Sequence, residues 1–93
     1  MRVNREAIVC KCLRYVEAGI EPTHGEFGMS YEQYGVLWEY IRDHELATNI
    51  SIMRGGRGNK VILVFLNNSR VSEKGYKYLD IFDHSVSNSQ RSV

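Results

Sequence analysis

An α+β domain of three helices and one antiparallel β-hairpin is the fold class this sequence predicts, on three observations. Apolar residues recur at helical spacing in two early stretches, Ile8, Val9, Cys12, Leu13 and Val16, then Tyr34, Leu37, Trp38 and Ile41. Further on, two β-branched and apolar runs flank the glycine-rich connection "RGGRGN". Finally, 93 residues with 43% hydrophobic content and one proline suit one compact domain whose single modest core holds everything together.

The first helix is expected over Arg5 to Ala18, with Glu6, Lys11, Arg14 and Glu17 on the polar side. Asn4 is its N-cap, Val3 and Ile8 form a hydrophobic staple, and Gly19 supplies the stop. On this wheel Cys12 faces the core and Cys10 faces water. "EPTHGEFG", Glu21 to Gly28, has room for no more than a broken helical turn. The second helix starts at Ser30, because "SYEQ" is a capping box, with Met29 and Tyr34 as its staple; it runs out near His44 or Leu46.

Thr48 to Met53 and Lys60 to Leu66 read as the hairpin strands. Period two sends Val61, Leu63 and Phe65 one way and Ile62, Val64 and Leu66 the other, so each face needs a cover. A second copy in a homodimer is one such cover. "NNSR" breaks the strand, Ser72 caps a last helix, and Gly75, Tyr78, Leu79 and Phe82 share one of its faces. The domain then spans residues 1–84, and "HSVSNSQRSV" passes into a disordered polar tail over 85–93.

No run reaches the roughly 18 apolar residues of a membrane span, and "MRVNREAIVC" is too polar for a signal peptide, so a cytoplasmic protein is expected. Cys10 and Cys12 diverge on a helix and cannot bridge each other, which fits a reducing compartment. The net charge of +1 hides a segregation: Ala47 to Ser72 carries +4 with no acid, and the remainder carries −3. Local field, more than net charge, steers a charged partner.

The order helix, broken turn, capped helix, basic-tipped hairpin, closing helix resembles that of winged-helix domains. "VSEKGYKYL" resembles the phrase "L-T-x-K-G-x-x-Y-L" that opens their last helix, with Val71 in place of the usual leucine. Ser72 stands where the capping hydroxyl does, Gly75 where the helix packs closely, and Tyr78 and Leu79 where the chain is pinned to the core. More narrowly, "AGIEPTHGEFGMSYEQY" and "VFLNNSRVSEKGYKYL" resemble the small YjcQ-like winged-helix proteins of Gram-positive bacteria and their phages, over roughly Ile8 to Leu79. That resemblance implies a fold and brings no established common activity with it.

In a winged helix the second helix holds the recognition position. Opposite its apolar stripe lie Glu32, Glu39 and Asp43, with Val36 and Tyr40 beside them. Three carboxylates pushed into a DNA groove meet repulsion, so this face suits a protein partner better than a duplex. Arg54, Arg57 and Lys60 on the glycine-rich turn, with Arg70 at the hairpin's other end, form the candidate grip on phosphates or on an acidic partner. The P-loop spacing is absent. His24, His44 and His84 are scattered, with no nucleophile placed beside them in a recognisable motif, and no cofactor or catalytic set is assigned. Asp80, Asp83 and His84 share a helix face but are read as surface polar residues, with no metal assigned.

The expected function is therefore that of a non-catalytic regulatory protein acting through a protein partner, a phage-type protein directed at a host nucleic-acid machine. The alternative is a transcription regulator that grips double-stranded DNA through the basic wing.

Overall fold

Helix boundaries fall where short-range hydrogen bonds fix them. The computed structural model describes residues 5–91, in the order α1 (Arg5–Ala18), a 3-10 turn (His24–Phe27), α2 (Tyr31–Asp43), β1 (Ser51–Gly55), β2 (Lys60–Phe65) and α3 (Glu73–Arg91). The cap at Asn4 and the staple residue Val3 lie outside the described residues. At the other end of α1, Gly19 adopts φ 73°, and the amides of Gly19 and Ile20 turn back to the carbonyls of Val16 and Tyr15. A residue with a Cβ would be strained there. The capping box of α2 forms as the sequence indicates: the Gln33 amide donates to Ser30 Oγ at 3.2 Å, and the Ser30 amide donates to Gln33 Oε1 at 2.9 Å. Ser72 Oγ accepts the Gly75 amide at 3.1 Å and opens α3.

The core gathers Val9, Cys12 and Leu13 of α1, Trp38 and Ile41 of α2, Leu46, Ala47 and Ile50 of the connection, and Leu79 of α3. Tyr34 Oη, also buried, donates to the Pro22 carbonyl at 2.7 Å and so ties the segment after α1 to α2. Cys10 departs from expectation. It is only 2% exposed, because α3 packs on α1 and extends the buried arc beyond what the α1 pattern alone shows. Burial pushes the Cys10 thiol up to about 11 and the Cys12 thiol up to about 12. Both thiols are therefore expected to resist a thiol-specific reagent at pH about 8 and to react once denaturant unfolds the chain. Rapid labelling of one thiol in the native protein would contradict that placement.

The hairpin is shifted and distorted relative to expectation. β1 starts at Ser51 because Asn49 holds φ 57°, outside the strand region, while its Nδ2 donates to the Asn68 carbonyl. Thr48 is held instead by its amide to Arg70 O at 2.8 Å. In the antiparallel ladder Met53 pairs with Leu63 but Arg54 pairs with Val61, so Ile62 is an extra residue, a β-bulge. The bulge breaks strict alternation. Val61 and Val64 turn inward, Leu66 is half-buried, and Ile62, Leu63 and Phe65 stay exposed.

The stretch expected to be disordered from Ser85 is instead a continuation of α3, to Arg91. No glycine or proline follows Gly75, and each residue added to an existing helix gains a hydrogen bond without a new nucleation cost.

Candidate functional site

The root of the hairpin is where charge is concentrated. β1 places Arg54 on the side of the hairpin that leans on α2. Its Nε donates to Glu39 Oε2 at 2.7 Å and its Nη2 to Glu39 Oε1, a bidentate pair, while Nη1 reaches Glu32 Oε1 at 3.3 Å and the Asn59 carbonyl at 2.7 Å. Glu32 uses its other oxygen to accept the Val61 amide at 2.6 Å. Beside this cluster Gly35 lets the backbone of α2 meet the Val61 side chain, since a Cβ there would fall 2.5 Å from both Val61 methyls.

These contacts correct two expectations. Arg54 is consumed inside the protein, leaving it no free grip on a phosphate. Glu32 and Glu39 are the receptors that fasten the hairpin, so the acidic face is partly engaged and only Asp43 stands away from it. The helical pattern places them opposite the Trp38 stripe correctly, but it carries no information about the side on which a later hairpin folds back. Asp43, the third carboxylate, is exposed and is bonded by Arg42 Nε at 3.1 Å.

The Arg54 guanidinium holds the Glu39 carboxyl below the usual carboxylate range, and the same bond raises Arg54. A depressed folded-state value contributes stability that is present above the unfolded value of about 4.3 and is lost as pH falls through the folded one. The hairpin is accordingly expected to loosen below about pH 4, seen as lost protection of the Val61 amide while the helical signal persists. Arg54→Ala should produce the same loss at neutral pH. Full protection of that amide under both conditions would contradict the clamp.

At the tip, Gly56 and Gly58 take φ 71° and 81°, and Asn59 takes φ 50°; Arg57 is exposed in the turn, and Lys60 is exposed at the start of β2. Arg70 is exposed too, but it sits beyond the far end of β2, a separation of about 20 Å for a strand of this length. Of the four expected cations, Arg57 and Lys60 are exposed at the tip end of the hairpin and Arg70 beyond its other end.

Val36 and Tyr40 do come together, in a setting the sequence did not reveal. With Ile8, Met29 and Leu37 they line an apolar groove of about 320 Å³ between α1 and α2, bordered by Arg5, Gln33 and Glu32. Val36 is 50% exposed on its wall. The Arg5 guanidinium lies 5.3 Å from the Tyr40 ring centre, and that ring also stacks on His44 at 4.0 Å. Ile8 was legible as part of the α1 apolar stripe and as a staple residue, and Met29 only as a staple residue; their shared opening appears once α1 and α2 are set side by side.

Among the described residues no three His, Cys, Asp or Glu side chains gather as a metal site, and Asp83 is paired with Arg14 at 2.5 Å. No helix among them is long and apolar enough to cross a membrane. Comparison with protein families, curated proteins and solved structures finds no match for this chain.

Proposed function

We propose that this is a cytoplasmic, non-catalytic winged-helix protein of the YjcQ-like kind that regulates a protein partner, with the groove between α1 and α2 as its contact surface. The observation that carries the reading is the groove itself. It presents Val36, Tyr40, Ile8 and Met29 to solvent, with Arg5 on its border. Its acidic neighbours Glu32 and Glu39 are engaged with Arg54. One guanidinium against two carboxylates leaves that trio at −1, and the exposed cations are Arg5 at the groove and Arg57 and Lys60 on the hairpin. The partner that fits is an apolar anchor flanked by carboxylates, presented by a protein surface. A phage-type protein directed at a host nucleic-acid machine meets this description.

A second reading, a DNA-binding regulator, gains from one observation: with Glu32 and Glu39 held by Arg54, α2 repels a duplex less than its sequence suggests. It also loses Arg54 as a contact. Arg57 and Lys60 together account for a salt slope of only about −1.8.

The test compares two variants for retention of a host protein and for binding of a duplex oligonucleotide. Val36→Asp should abolish protein retention without loss of helical signal, and the Arg57→Ala, Lys60→Ala double variant should weaken retention in a salt-dependent manner. Tight duplex binding that the double variant abolishes, with retention indifferent to Val36→Asp, would decide for the regulator.

A further inference from the structure

The two edges of the hairpin are treated differently. On the β2 edge, the Val61 amide is taken by Glu32 at 2.6 Å and the Val64 amide by Tyr31 Oη at 3.0 Å. Side chains of α2 therefore close that edge against any further strand, a common protection for an exposed ladder. The same bonds define the other edge. Val64 points its amide away from β1, so the pair Ile52 and Val64 is of the non-hydrogen-bonded type, and Ile52 likewise points its amide and carbonyl outward. β1 itself contains no extra residue, so Arg54, two positions on, repeats that orientation. Among the described residues no strand or side chain takes up these outward groups. α2 packs mainly over β2.

The outer face of the same hairpin is apolar. Met53 and Ile62 are each 48% exposed, Leu63 43% and Phe65 40%. For side chains of roughly 200 Å² these fractions leave on the order of 350 Å² per copy. A patch of that size alone is within what a monomer exposes. The β1 edge beside it, whose outward main-chain groups at Ile52 and Arg54 are unpaired among the described residues and whose one charge, Arg54, is held by Glu39 and Glu32, is the second element; pairing through that edge joins the two outer faces into one continuous apolar surface.

We infer that a second copy of this chain pairs with it, β1 to β1, antiparallel about a two-fold axis at Met53. In this register Ile52 of one copy faces Arg54 of the other, and the four outward amides and carbonyls of each such pair of residues meet in the alternation an antiparallel ladder requires. Met53 lies against its own counterpart on the outer face, with Leu63 and Phe65 extending the apolar surface on either side. The cationic tips carrying Arg57 and Lys60 point in opposite directions, which keeps like charges apart and leaves both grooves free.

Light scattering over a range of protein concentrations tests this together with a cysteine placed on the axis. The expected result is a dimer at micromolar concentration that Met53→Lys converts to a monomer with unchanged circular dichroism. Met53→Cys should form a disulfide-linked dimer under mild oxidation, against a low background because Cys10 and Cys12 are buried. Ile81→Cys, on the exposed side of α3, should not. A monomer at every concentration, or a dimer that persists with Met53→Lys and leaves Met53→Cys unlinked, overturns the proposal.

Discussion

Trp38→Ala is expected to cost about 3 to 5 kcal/mol of stability, the loss typical of a large aromatic removed from a packed interior. The Trp38 side chain is fully excluded from solvent, and Tyr34 meets it edge to face at 6.1 Å between ring centres. It sits where α1, α2 and the connection to the hairpin converge, so the void cannot be filled by one neighbour moving in. A small domain holds about 5 to 15 kcal/mol in all, and the variant should be partly unfolded at modest temperature. Denaturant titration measures it; an unchanged midpoint would place Trp38 outside the core.

The second large effect is expected at Gly75. A Cβ there would lie 2.0 Å from the Leu46 carbonyl oxygen and 2.7 Å from a Val71 methyl. The nearer obstacle is backbone, fixed in turn by the Ser72 amide that donates to the same carbonyl at 3.0 Å. Gly75→Ala should therefore lose about 1 to 3 kcal/mol or more through overpacking, despite the higher helix propensity of alanine. Gly25→Ala is the control, since nothing lies within 4 Å of its Cβ, and it should change the midpoint little. Equal behaviour of the two variants in thermal melts would argue against close docking of α3.

What the sequence made legible is what local chemistry decides. α1 begins and ends at the expected residues, the Ser30 capping box and the Ser72 cap form, and Trp38 with Leu37 and Ile41 points into the core. Each depends on neighbours within four positions. Apart from the tail, where α3 continues to Arg91, the main misreadings are long-range. Cys10 is covered by a helix more than sixty residues away in sequence, Arg54 meets Glu39 across fifteen positions, and Val61 meets Glu32 across twenty-nine. A charge pattern shows that acids and bases are segregated, but not that the fold spends one set neutralising the other. The bulge at Ile62 was equally hidden, because "VILVFL" alternates as well in either register.

Val36 and Tyr40 were the fortunate case, since their exposed position on α2 follows from the helical period. The groove they share with Ile8 and Met29 did not follow, because it depends on how two helices cross.

The central claim is that the partner contacts the α1–α2 groove. Photo-crosslinking from position 36 in cells that contain the natural partner tests it most directly, with a second probe at position 57 on the hairpin tip. A discrete protein adduct from position 36, lost when Tyr40→Ala is added, is the predicted result. Adducts to nucleic acid from position 57, with none from position 36, would contradict it.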